Sequence, residues 1–261
     1  MDIIEHPPIL HFASIPDHVT YTWIAMLIII AVSFFATRRL ELVPTGAQNF
    51  MEMVLDQFHQ ILDEVIGAGG RRYLPLIGTL GLFILVSNLM GLVPGLVAPT
   101  ANLNTTAACA LVVFFTYHVI GVRKQGALNY LKHFAGPVPG PLKPLMFVIE
   151  IISHLARPLS LSLRLFGNMA GGHILIAIFF FMMGFDGLLG WALTGSLGGI
   201  LIGAPGALVS AAFVIGFLMP LKILVAFLQA FIFCMLTMIY ITGALEEAEH
   251  EAHPAPAGHH A

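Results

Sequence analysis

Hydrophobic residues run along this chain in blocks too long and too uniform for a water-soluble fold. Val19 to Thr37, Tyr73 to Val97 and Thr105 to Val122 are each apolar on nearly every face of a helix. Each approaches the ~20 residues that carry a helix across ~30 Å of hydrocarbon. The pattern therefore predicts three transmembrane spans, over 19–37, 73–97 and 105–122. Residues 50–66 have a different pattern. Phe50, Val54, Phe58, Ile61, Leu62 and Val65 recur at helical spacing, while Glu52, Asp56, His59 and Asp63 fall off that stripe. This predicts an amphipathic helix lying on the cytoplasmic surface or against a partner; a short connecting helix is the plainer reading. Four prolines and two glycines in 133–144 predict a loop.

Two later blocks are longer than one crossing needs. Residues 145–185 stay apolar without a turn cluster, and as one helix they would reach ~60 Å. Residues 207–244 pose the same problem. A pair of long, strongly tilted helices resolves both, with the Gly-rich stretch 186–206 as their outer hairpin and 245–261 as a cytoplasmic tail. The alternative is that Pro158 or Pro220 breaks each block in two, although no polar loop accompanies either proline. The fold class is an all-α polytopic membrane protein: three spans, one surface amphipathic helix and a long tilted two-helix hairpin in a single membrane domain.

Composition agrees and narrows the function. Hydrophobic residues make up 58% of 261 residues and charged ones 10%, against roughly a quarter in soluble domains. With 11 Lys and Arg in all, the chain lacks the basic surface of a nucleic-acid binder. Cys109 and Cys234 both sit inside apolar runs, so neither a disulfide framework nor a thiolate metal site is expected, and no cofactor is. Lipid is the expected surrounding.

The cations set the orientation. Arg38, Arg39, Arg71, Arg72, Arg123, Lys124, Lys132 and Lys143 flank apolar runs. If the first span enters from outside, all eight collect on the cytoplasmic side, as the positive-inside rule asks. The N-terminus is then external and the C-terminus cytoplasmic.

Three cations lie inside the apolar blocks instead. Glu150, Arg157 and Arg164 are spaced seven and seven, returning to nearly the same helical face. Ser160 and Asn168 stand four residues either side of Arg164 on that face, and His173 lies about half a turn round. Lys222 and Gln229 are seven apart on the second long block. For antiparallel helices, a constant index sum marks equal depth. Arg164 with Gln229 then forms one polar layer, and His173 with Lys222 another farther out. A cation at the bilayer centre costs ~2.5–3.5 kcal/mol even on lenient insertion scales. Pairing with Glu150 would satisfy Arg157. No acid of this chain matches Arg164, which implies a carboxylate on another subunit or a transported anion.

The run LSLSLRLFGNMAGGH at 159–173, with FLQAFIF at 227–233, resembles subunit a of the F-type ATP synthases. The resemblance covers most of the chain. It implies a stator in a bacterial plasma (inner) membrane, set against a rotating ring of c subunits that each carry a mid-membrane carboxylate. Further implied partners are peripheral-stalk b subunits and, indirectly, the F1 sector. Arg164 corresponds to the indispensable arginine of the family motif. Asn168 and Gln229 match residues of the outer access path, and Glu150 an acid near the cytoplasmic exit. His173 stands where the family carries Glu or His, and Arg157 where Lys is common. Lys222 departs from the Glu or His expected there. Gly167 and Gly171 stand at small-xxx-small spacing, which permits close helix approach, although such spacing is more often ordinary in an apolar helix.

Two other classes compete. In a secondary transporter Arg164 would bind an anionic substrate, but paired repeats and interrupted helices are not visible. An intramembrane hydrolase would need a metal motif or nucleophile elbow, and the sequence has neither.

Overall fold

A computed structural model describes residues 16–38, 46–67, 69–93, 95–133, 142–183 and 187–252. Among these the chain is helical, without strands. The helices are α1 (Asp17–Thr37), α2 (Ala47–Val65), α3 (Leu74–Met90), α4 (Leu103–Gln125), α5 (Ala127–His133), α6 (Lys143–Met183), α7 (Leu188–Leu193), α8 (Ala204–Phe213) and α9 (Met219–Ala252). Among the described residues five helical stretches, beginning at Asp17, Gly70, Leu103, Lys143 and Gly199, are long and apolar enough to cross a membrane. Their outward side chains fit lipid and not water: Leu27, Ile30 and Phe35 are 64%, 64% and 67% exposed. Each such side chain would forgo ~1.5–3 kcal/mol of burial in an aqueous setting.

Hydroxyls inside the helices turn back on their own backbone. Thr22 donates to the His18 carbonyl at 2.7 Å, Thr79 to Pro75 at 2.6 Å, Thr116 to Val112 at 2.7 Å and Thr237 to Phe233 at 2.8 Å. A polar group with no water at hand must find its partner within the protein, and the carbonyl one turn back is the nearest.

Several boundaries follow from glycine and proline. α3 ends at Met90, seven residues before the Val97 expected from hydropathy. The following segment holds Gly95 at φ 90° and a 3-10 turn over Pro99–Ala101. α4 passes beyond Val122 to Gln125, and Gly126 at φ 82° turns the chain into α5, a helix the hydrophobic pattern did not suggest. α6 runs unbroken for 41 residues with Pro158 inside it. The second long block is continuous but not uniform, because a π turn over Val214–Leu218 joins α8 to α9 just before Pro220. A second π turn, Gly199–Gly203, precedes Pro205. Proline cannot donate to the carbonyl four residues back, and both π turns sit where that bond is missing. The Gly-rich stretch read as a plain hairpin thus contains α7 and the start of α8. A methyl on Gly203 would lie 2.8 Å from the Leu188 carbonyl oxygen, so glycine permits this packing. The expected N-terminal segment before residue 16, residues 134–141 of the proline-rich loop, Asp186 and the tail from 253 lie outside the described residues.

The chain divides into two compact units. The first comprises residues up to Val32, then Leu82–Thr105 and Arg164–Phe231. Here Tyr21 and Ala25 of α1 pack on Met90, with Phe83, Val86 and Leu96 around them. The Tyr21 hydroxyl donates to the Gly95 carbonyl at 3.3 Å. Asn88, fully buried, donates to the Ala226 carbonyl at 3.5 Å and accepts from Thr100 at 2.6 Å. Ala98, Met169 and Ala226 form a second core beside it.

The second unit comprises Ser33–Gly81, Thr106–Leu163 and the chain from Ile232. Leu62 of α2 and Ile77 of α3 are buried in it. Thr242 of α9 donates to the Val65 carbonyl at 3.1 Å, tying α9 to the end of α2. Arg71 grips Asp63 at 2.6 Å. The N-terminal half of α2 is freer, with Phe50 and Met53 64% and 56% exposed.

Candidate functional site

The part of α6 that belongs to the first unit starts at Arg164, whose side chain is exposed. Among the described residues it makes no ion pair and no hydrogen bond. A methyl added at Gly167 or Gly171 would meet nothing within 4 Å. Among the described residues no helix approaches closely at these glycines, and the face they share with Arg164 is open.

The neighbouring polar groups are engaged. Asn168 donates through Nδ2 to Gln229 Oε1 at 2.5 Å, joining α6 to α9, and Gln229 is buried. Depth counting had set Gln229 level with Arg164; its hydrogen bond goes one helical turn farther, to Asn168. The second expected layer also forms through a neighbour. Lys222 crosses over Gly172, whose added methyl would stand 2.7 Å from Cε and 3.5 Å from Nζ. His173, the next residue, lays its imidazole against Gly91 instead. Its Nε2 is buried and has no hydrogen-bond partner among the described residues. A cavity of about 110 Å³ opens among Asn88, Asn168, Met169, Gly172, Lys222 and Val225. Its wall is largely aliphatic, with Asn88, Asn168 and Lys222 the polar residues along it.

The second unit holds the remaining candidates. Glu150 does not pair with Arg157. Its carboxylate Oε1 lies 3.2 Å from Nε2 of His154, one turn along α6. The reason is helical geometry: positions four apart are neighbours, whereas seven residues separate two groups by ~10 Å along the axis. Arg157 instead places its guanidinium over two aromatic rings, 5.9 Å from the Tyr117 centroid and 5.4 Å from that of Tyr240. The Tyr117 hydroxyl reaches His154 Nδ1 at 3.2 Å. His118 stands beside them, its ring 5.2 Å from that of His154, with Nδ1 donating to the Phe114 carbonyl at 2.9 Å. Ser160 is exposed on α6.

Sequence reasoning thus found Arg157 and Glu150 but missed His154, Tyr117, His118 and Tyr240, which surround them. A signal was available for His154, four residues after Glu150 in an apolar helix. None was available for Tyr117 or Tyr240, because their role depends on which helices meet.

The sequence profile of the family described as ATP synthase A chain matches residues 19–242. ATP synthase subunit a 1 of Pelobacter propionicus is 48% identical over 232 residues, 89% of either chain. ATP synthase subunit a of Geobacter sulfurreducens shows 48% identity over the same shares. ATP synthase subunit a 1 of Syntrophotalea carbinolica reaches 51% over 231 residues, 88% of this chain and 86% of its own.

Proposed function

Because this chain belongs to the ATP synthase A chain family, and so is a multi-pass membrane subunit of a rotary ATP synthase, we propose that it is the stator that converts proton passage into ring rotation through Arg164. The observation that carries this reading is an exposed arginine, without a partner among the described residues, in a 41-residue apolar helix, on a face left open by Gly167 and Gly171. A guanidinium that never deprotonates needs a counter-charge there. A carboxylate on a facing ring of c subunits supplies it.

Two paths then reach the ring from opposite sides. The outer one uses Asn168, Gln229, His173 and Lys222 beside their cavity; the inner one uses Glu150, Arg157 and Ser160. A continuous water column would only dissipate the gradient, so the paths connect solely through ring carboxyls. A carboxyl protonated from outside is neutral and tolerates lipid, whereas an ionised one does not. Arg164 attracts the ionised form and bars a loaded carboxyl from slipping directly to the other path. Protons must go round with the ring, and each charge moved through 100 mV supplies ~2.3 kcal/mol. The N-terminus faces outside a bacterial inner membrane and the C-terminus the cytoplasm, with peripheral-stalk b subunits holding the stator against torque and linking it to the F1 sector.

The test is ATP-driven acidification of inverted vesicles. Arg164→Ala is expected to abolish it with the complex assembled; pumping at the wild-type rate, with normal subunit levels, would overturn the reading.

A further inference from the structure

His154 is held at both ring nitrogens. Nε2 faces Glu150 Oε1 at 3.2 Å, and Nδ1 faces the Tyr117 hydroxyl at 3.2 Å. His154 is 5% exposed and Tyr117 1%, while the Glu150 side chain keeps 29% of its surface open. One end of this line is therefore closed and the other accessible. An ionised carboxylate can only accept, so Nε2 carries the proton directed at Glu150, and in the neutral imidazole Nδ1 is then left to accept from the Tyr117 hydroxyl. That arrangement fixes one Glu150 oxygen and leaves the other for water.

The surroundings keep the ring in this setting. From α6 come Glu150 and Arg157. From α4 come Tyr117 and His118, the latter anchored on the Phe114 carbonyl. Tyr130 of α5 lies edge-on to His118 at 5.9 Å, and Tyr240 of α9 stands 5.9 Å from Tyr117. Arg157 sits over both Tyr117 and Tyr240, so the hydroxyl that sets the tautomer is itself positioned by three helices.

We propose that His154, oriented by Tyr117, is a positioning residue for the inner proton path: its Nε2–H holds the Glu150 carboxylate in the ionised, outward-presented form that takes up a proton from cytoplasmic water and passes it on. This rests on Glu150 belonging to that path. His154 moves no proton in this role; Glu150 gains one at its open oxygen and loses the same one in the next step.

The experiment measures ATP-driven pumping by the whole complex in inverted vesicles, against the pH of the medium, which contacts the inner path. Pumping fails on the alkaline side once the carboxylate no longer captures a proton. Removing a hydrogen bond to a charged carboxylate should make it hold its proton more tightly. His154→Leu is therefore expected to slow pumping at pH 7 and to move its alkaline limb to higher pH. Tyr117→Phe, which frees the tautomer, should move it the same way by less. His154→Gln offers an amide N–H and should restore the limb to its wild-type position. An alkaline limb unmoved in His154→Leu would overturn the proposal, since a structural role lowers the rate at every pH alike. So would His154→Gln as impaired as His154→Leu, which would make His154 a proton carrier. Glu150→Gln separates this from the parent reading. If that variant pumps normally, Glu150 is not on the inner path. If it fails while His154→Leu leaves the limb in place, only the role of His154 is lost.

Discussion

Gly172 offers a direct test of the outer cluster, because the space for a methyl there is taken by Lys222. The added carbon would lie 2.7 Å from Cε, against 3.5–4.0 Å for an ordinary carbon–carbon contact. In Gly172→Ala the lysine tip must therefore retreat by about 1 Å, and Nζ moves with it. The obstructing atom is the far end of a flexible side chain, so the cost resembles an off-rotamer side chain more than an overpacked core, about 1 kcal/mol. This is about fivefold in the occupancy of the present ammonium position. ATP synthesis by energised membrane vesicles is expected to slow several-fold in Gly172→Ala at unchanged amounts of complex. In a Lys222→Ala background the methyl has nothing to displace, and the double variant should match Lys222→Ala alone. Equal slowing by Gly172→Ala in both backgrounds would refute the reasoning, as would no slowing in either.

Other expectations follow from contacts within each unit. Asn168→Ala strands the buried Gln229 carbonyl oxygen, at about 1–3 kcal/mol, whereas Gln229→Leu removes that group; heat inactivation of the complex should come earlier in the first variant than in the second. The Arg71 hydrogen bond holds the Asp63 carboxyl below its ordinary value of 3.8. A depressed carboxyl stabilises above its unfolded value and loses that contribution as pH falls through the folded one. Asp63→Asn should thus lower heat resistance equally at pH 5 and pH 8, with the difference disappearing only in acid below the usual carboxylate range. Leu197 is 79% exposed, and Leu197→Cys, with Cys109 and Cys234 replaced, should react with an impermeant thiol reagent from outside intact cells; labelling only in inverted vesicles would reverse the orientation.

How much the sequence disclosed depended on whether the governing interaction was local. Helix location was legible, since unbroken apolar runs such as that of α6 announce themselves by length. Helix ends were legible only where punctuation was unambiguous. The exit from α3 at Met90 was signalled by Gly91, Pro94 and Gly95, but the apolar Leu92, Val93, Leu96 and Val97 outweighed them in a reading by hydropathy. The π turn at Val214–Leu218 left no mark in hydropathy, although Pro220 announced the missing hydrogen bond. Among the candidate residues, Arg164 stood out because an uncompensated charge is costly in lipid wherever its partner lies. Index sums give depth but not partners: they set Gln229 level with Arg164, and its hydrogen bond is to Asn168, one turn along. His154 escaped notice because a histidine's meaning lies in both its ring nitrogens, and Tyr117 comes from a helix 37 positions away in sequence.

The claim that Arg164 forces protons round with the ring is tested most directly by passive conduction. Inverted vesicles stripped of the F1 sector would be given a potential, and the resulting proton flux followed with a pH-sensitive dye. If Arg164 separates the two paths, Arg164→Ala membranes should conduct at least as fast as wild-type ones, since loaded carboxyls can now slip from path to path, while ATP-driven pumping by the unstripped complex is lost. Vesicles carrying assembled Arg164→Ala complex that are as proton-tight as membranes lacking the complex would contradict the account.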